Sequence, residues 1–183
     1  MRTWVLAAAA AVLASGCSQE AAAPVENEAD SAAELAPGLY QATWTVSGIK
    51  STDRSPPSNG VEQGATGTTQ GCVADDGTID PSLFAEGEDQ CSASSSYVRG
   101  GRISMQLECS REGESGQVMQ SVNGNGNGDG IEAEVSTTTY LAAVGDYQMT
   151  RTLTAKRVGE CPPAGADVTL ENAAEAATEN SAG

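Results

Sequence analysis

Five cysteines, a run of serines and a few closely spaced acids and asparagines are the residues of this 183-residue chain that could do chemistry, and it contains no histidine. That absence removes the commonest general base, the usual nucleophilic triads and most zinc sites. The serines of "SASSS", Ser92 to Ser96, sit in no GxSxG elbow. Paired carboxylates could do acid and base work unaided, and Asp75 with Asp76 or Glu132 with Glu134 are close in sequence. Adjacent strand residues point to opposite faces, however, and Glu132 and Glu134 alternate with Ile131, Ala133 and Val135, which puts the acids on the wet face. The expectation is a solvated surface and no catalytic residue.

The stretch "NGNGNGDGIEAE" has a more specific alternative. Asn125, Asn127, Asp129 and Gly130 match the opening N-x-N-x-D-G of a calcium loop, whose oxygens converge from alternate positions. Counted from Asn123, the register puts Glu134 at the twelfth place, where such a loop has its bidentate acid. Neither register is complete: the first has Ser136 at the closing position, and the second opens on a neutral Asn. Asn-Gly repeats also suit tight turns, because both residues tolerate positive φ. The turn is the preferred reading, with no metal and no cofactor expected.

The cysteines say more. Residues 1 to 16 have a basic start at Arg2, an apolar core from Trp4 to Leu13 and then small residues, the three parts of a secretory signal. The apolar run falls well short of the about 20 residues that span a bilayer. Ala14, Ser15, Gly16 and Cys17 resemble a bacterial lipobox, with Leu13 one place further out than usual. Cys17 is accordingly expected to carry diacylglycerol and to become the mature N-terminus, several acyl chains giving a stable membrane anchor. Ser18 stands where an aspartate usually marks inner-membrane retention in Gram-negative lipoproteins, so the outer membrane is favoured. Soluble export with Cys17 left free is the alternative.

Residues 17 to 36 are rich in Ala and Glu and poor in bulky apolar side chains, the composition of a disordered tether. Residues 162 to 183 share it, with a weak helix conceivable over Val168 to Ala177. Between them lies one domain, 37 to 161, a length that suits a single core. The whole chain has 9 basic and 25 acidic side chains. Loss of the signal takes only Arg2, leaving 8 bases against 25 acids and a charge of −17; within the domain, 8 bases meet 16 acids. Nucleic acid is disfavoured as a partner, as is anionic lipid held by a basic patch.

Within the domain, "GLYQATWTVSGI" alternates Tyr40, Ala42, Trp44 and Val46 against Leu39, Gln41, Thr43 and Thr45, a half-buried strand. "STDRSPPSNG" is loop, and "VEQGATGTTQGCV" reads as a polar strand near an edge. In "DDGTIDPSLFAEGED", Asp80 can cap a short helix begun by Pro81, with Leu83 and Phe84 plugging the sheet. "CSASSSYVRGGRISMQLEC" is a hairpin: a three-residue turn over Arg99, Gly100 and Gly101 sets Val98 against Arg102 and Cys91 against Cys109. "GQVMQSVN", "GIEAEVSTTTY" and "YQMTRTLTAKRVGEC" supply three more strands. The expected fold is all-β, a small antiparallel sheet curved into a sandwich or partial barrel with one short helix. Its four cysteines, Cys72, Cys91, Cys109 and Cys161, allow three pairings. Cys91 with Cys109 and Cys72 with Cys161 is the preferred one, and it leaves Cys17 odd.

"PGLYQATWTV", "GCV" before an acidic helical insert, the cysteine hairpin and the closing "KRVGEC" together resemble the family catalogued as domain of unknown function 3617, found in exported proteobacterial proteins. The resemblance spans Pro37 to Cys161 and implies a periplasmic β domain without a known activity. The leading expectation is a non-catalytic lipoprotein on the periplasmic side of the envelope, binding a partner protein or a small apolar ligand. A carboxylate-dependent envelope hydrolase and a soluble periplasmic calcium-binding domain are the alternatives.

Overall fold

A computed structural model describes residues 34–163. The signal segment, Cys17, the bulk of the tether and the C-terminal tail, including Val168 to Ala177, lie outside the described residues. Seven strands form one sheet: β1 Gly38–Ser51, β2 Thr66–Val73, β3 Gln90–Arg99, β4 Arg102–Ser110, β5 Gly116–Asn127, β6 Gly130–Leu141 and β7 Tyr147–Gly159. Their order is β2-β1-β7-β6-β5-β4-β3, every neighbouring pair is antiparallel, and the sheet curls into a half-barrel. The all-β antiparallel expectation thus holds, in its partial-barrel form.

The period of two explains the core. Tyr40, Ala42 and Val46 of β1, Ile103, Met105 and Leu107 of β4, Val118 and Val122 of β5, and Ile131 and Val135 of β6 are buried on the concave face, with polar residues alternating outward. Consecutive strands β2 and β3 occupy opposite edges of the sheet, so the chain between them must cross the concave face. It does so through one 3-10 turn, Pro81–Phe84. Asp80 caps this turn by accepting the Ser82 N–H at 2.9 Å, and both Leu83 and Phe84 are fully buried. The expected plug is therefore present. A Cβ on Gly71 of β2 would stand 2.7 Å from the Leu83 nitrogen, so only glycine lets the plug lie this close to the sheet.

Three readings of local structure need correction. The β3–β4 turn has two residues, Gly100 and Gly101, both at positive φ (57° and 73°), so Arg99 pairs with Arg102 and Val98 with Ile103. A register shift between Ala93 and Ser95 then adds a residue back, and Cys91 still faces Cys109. Second, the strand expected from Val61 begins only at Thr66; Val61 and Ala65 turn inward and pack against Val46, Tyr147 and Met149. Third, the Asn-Gly repeat is not a turn over its length. β5 continues through Asn127, and only the link from Asn127 to Gly130 reverses the chain.

The reason for that third difference is packing. Gly124 and Gly126 face inward while Asn123, Asn125 and Asn127 face water, and the Leu35 side chain lies where a Cβ on Gly126 would be. Leu35 and Ala36, assigned to the tether by composition, are held to the domain. The Ala36 N–H donates to the Gly128 carbonyl at 2.7 Å, and the Tyr40 hydroxyl reaches the carbonyls of Ala36 and Gly128 at 2.8 and 3.1 Å.

Candidate functional site

The strongest polar feature of the domain is a cluster that fastens the plug to one end of the half-barrel. Arg151 occupies an inward position of β7 between Met149 and Leu153 and is completely buried. Its Nη2 and Nη1 donate to the carbonyls of Phe84 and Ala85 at 2.6 and 3.0 Å, and its guanidinium lies 5.4 Å from the Trp44 ring centre. The carbonyls that end the plug turn are thereby satisfied by a side chain from the sheet. Burial lowers the Arg151 pKa, against the opposing influence of Glu86, Tyr147 and Asp89.

Beyond the plug, Glu86 and Asp89 turn inward towards Arg111, which follows β4. Arg111 holds Asp89 in a two-pronged pair, Nε to Oδ1 at 2.8 Å and Nη2 to Oδ2 at 2.9 Å, and the Asp89 side chain is only 2% exposed. Arg111 Nη2 also donates to the Tyr147 hydroxyl at 3.0 Å and lies 3.5 Å from Glu86 Oε1. That same oxygen accepts the Tyr147 O–H and the Asn59 amide, each at 2.7 Å. The hydrogen bonds to Asp89 are the main reason the Arg111 pKa rises. Two buried acids thus share Arg111, while Arg151 bonds only the plug carbonyls and feels the acids through space.

Burial, reinforced by the Glu86 carboxylate, pushes the Tyr147 phenol well above the ordinary tyrosine value near 10. A raised pKa in the folded state makes a contribution to stability that is full below about pH 10 and is lost as pH rises through the folded value. Urea unfolding followed from pH 8 to pH 12 should therefore show stability falling above about pH 10. Tyr147→Phe should flatten part of that decline, while Tyr40, also raised chiefly by burial, sustains the remainder.

The other residues singled out in the sequence are scattered. Cys91 is bonded to Cys109, and Cys72 to Cys161, so all four domain cysteines are paired. The serines of "SASSS" lie exposed on edge strand β3, where Ser92 and Ser94 donate to the Glu108 and Gln106 carbonyls at 3.4 and 3.2 Å. Asp76 accepts the Thr78 N–H at 2.9 Å in an exposed turn, and this bond draws its carboxyl below the usual range. Glu132 and Glu134 are exposed on β6. Asn125 and Asn127 project from one face of an extended strand, where alternate residues are spaced by about 7 Å. Asn125 pairs across with Glu132, and Asn123 with Glu134. These side chains form a row and do not curl around one centre. Among the described residues no three cysteines, aspartates or glutamates gather where a metal could be held.

Sequence reasoning missed Glu86, Asp89, Arg111, Tyr147 and Arg151. Arg151 had a visible signal, since it breaks an inward series of apolar residues in "YQMTRTLTA". Glu86, Asp89 and Arg111 lie outside the strands and had none. Beside the cluster opens a cleft of about 440 Å³, walled by Trp44 and Val61 and rimmed by Glu88, Glu112 and Glu114.

A family model described as "Protein of unknown function (DUF3617)" matches residues 35–161. No curated protein and no solved structure matches the chain.

Proposed function

Because the chain belongs to this family of proteins of unknown function, DUF3617, which brings no activity with it, we propose from its residues that it is a lipid-anchored, non-catalytic binding domain of the cell envelope. The observation that carries this reading is the pairing of all four domain cysteines, the pattern of proteins that mature in an oxidising compartment, with Cys17 left over for lipid. Ser18 after Cys17 favours the outer membrane, with the domain on its periplasmic side. Ile79, Leu83 and Phe84 already fill the concave face, which supports a partner protein over a small apolar ligand. Glu86 and Asp89 are the acids a carboxylate hydrolase would use, but both are engaged by Arg111, Tyr147 and Asn59.

Metabolic labelling with alkyne palmitate tests the anchor. The wild-type chain should take up label and sediment with membranes, and Cys17→Ser should lose the label. Equal labelling of both, or labelling of neither, would overturn the proposal.

A further inference from the structure

We propose that Asn127 is a site of self-modification: its side chain closes on the Gly128 backbone nitrogen, and the isoaspartate that results frees Leu35 and Ala36 from the end of the half-barrel. In the first step the Gly128 nitrogen bonds to Asn127 Cγ, and the carboxamide nitrogen departs as ammonia with the Gly128 amide proton. Water then opens the cyclic imide at one of its two carbonyls, leaving aspartate or isoaspartate. The closure needs a following residue without a side chain, a carboxamide and a backbone N–H that are not held elsewhere, and a backbone able to leave the extended form. It is independent of whether Cys17 carries lipid.

The chain has four Asn-Gly pairs, and their surroundings differ. At Asn59 the carboxamide is locked, with Nδ2 donating to Glu86 Oε1 at 2.7 Å and Oδ1 accepting the Val61 N–H at 3.1 Å, while the Gly60 N–H donates to the Pro57 carbonyl. At Asn123 the two ends of the carboxamide meet Ser104 and Ser121, and Gly124 lies inside the ladder between Ile103 and Ala133. At Asn125 the following Gly126 N–H is held by the Gly101 carbonyl at 2.7 Å. Asn127 has none of these restraints. It is exposed, its carboxamide makes no hydrogen bond among the described residues, and it forms the last pair of β5 with β6, where a ladder opens most readily. Gly128 is the first of the two turn residues, at a φ of 52°, and its N–H meets no acceptor among the described residues.

The turn that would change is the one that holds the strap. Isoaspartate routes the main chain through Cβ and Cγ, which adds a methylene to a two-residue link that has no slack for it. The Gly128 carbonyl, which accepts the Ala36 N–H at 2.7 Å and the Tyr40 hydroxyl at 3.1 Å, would move off both partners, and Leu35 would lose its seat over Gly126.

The mature protein in detergent would be aged in mildly alkaline buffer made with heavy-oxygen water, because hydrolysis of the imide places one solvent oxygen in the new carboxyl group. In the folded protein, tandem mass spectrometry of its peptides should find label entering Asn127 about tenfold or more faster than Asn59, Asn123 or Asn125, since reaction follows local opening. In guanidinium chloride all four should label at similar rates. Labelling of Asn127 no faster than the others in the folded protein, or none there while the unfolded sample converts fully, overturns the site. Hydrogen exchange of the Ala36 amide reads the release, and in the aged wild-type chain it should quicken about tenfold or more. Asn127→Gln, whose longer side chain closes the ring far more slowly, should keep that amide protected through the same ageing. Freshly prepared Asn127→Asp, which adds the charge without the extra methylene, should keep it protected too. An Ala36 amide that stays protected in the aged chain bearing isoaspartate overturns the release.

Discussion

Arg111→Ala is expected to lower the unfolding free energy by about 3 to 5 kcal/mol, the range for removing one partner of a buried ion pair. Asp89 would lose both its bonds to the guanidinium in a setting almost closed to water, and Tyr147 and Glu86 would lose their nearest cation. Since Glu86 and Asp89 continue directly from the plug turn, their uncompensated charge should loosen the plug as well. Urea unfolding at neutral pH measures the loss. Arg111→Met combined with Asp89→Leu should recover most of it, because the cost lies in the stranded carboxylate more than in the missing pair. A loss below about 1 kcal/mol for Arg111→Ala would mean that the pair behaves as a surface salt bridge, screened by solvent.

The second large effect is expected from Cys72 and Cys161. This bridge joins positions 89 residues apart, whereas Cys91 and Cys109 are separated by only 18. The chain-entropy account gives about 4.5 kcal/mol for the long loop and about 3 kcal/mol for the short one. Cys72→Ser with Cys161→Ser should therefore destabilise the domain more than Cys91→Ser with Cys109→Ser. The long bridge also ties the segment after β7 to β2, an edge strand with a single strand neighbour. The short one joins strands already paired along their whole length, so its loss leaves a hairpin that the ladder still holds. Melting temperatures of the two double variants compare them directly; a smaller shift for Cys72 and Cys161 would show that the long loop is already constrained in the unfolded chain.

Both cysteine pairs were within reach of sequence reasoning, although one was reached by a count that proved wrong. The hairpin turn is one residue shorter than the sequence suggested, and the bulge between Ala93 and Ser95 compensates. Turn length and bulge trade against each other, and the bulge breaks the alternation of β3 within a run of small exposed residues where no apolar series is present to show the break. The Asn-Gly repeat shows the opposite failure. Its period of two was in plain view, yet glycines at inward positions look like turn formers until Leu35, from outside the strand, is seen to need the space at Gly126, and Ala133 of β6 the space at Gly124. The plug was legible because Asp80, Pro81 and the pair Leu83 and Phe84 state a cap, a first turn and a buried face in consecutive residues.

The ion-pair cluster was less legible for a physical reason. Periodicity identifies a side chain by the face of its own element, and Glu86, Asp89 and Arg111 belong to connections that have no period. They are brought together only when the chain crosses from the β2 edge to the β3 edge. Arg151 was the exception, a cation in an apolar register that calls for a buried acceptor. Its acceptors proved to be the Phe84 and Ala85 carbonyls, which no sequence pattern marks.

The central claim is that this is an exported domain, closed by two disulfides and held to a membrane through Cys17. Its most direct test is the intact mass of the protein extracted from membranes without reduction. The account predicts an acylated chain beginning at Cys17 and lacking four thiol hydrogens. An unacylated chain, or one with four free thiols in the domain, would contradict it.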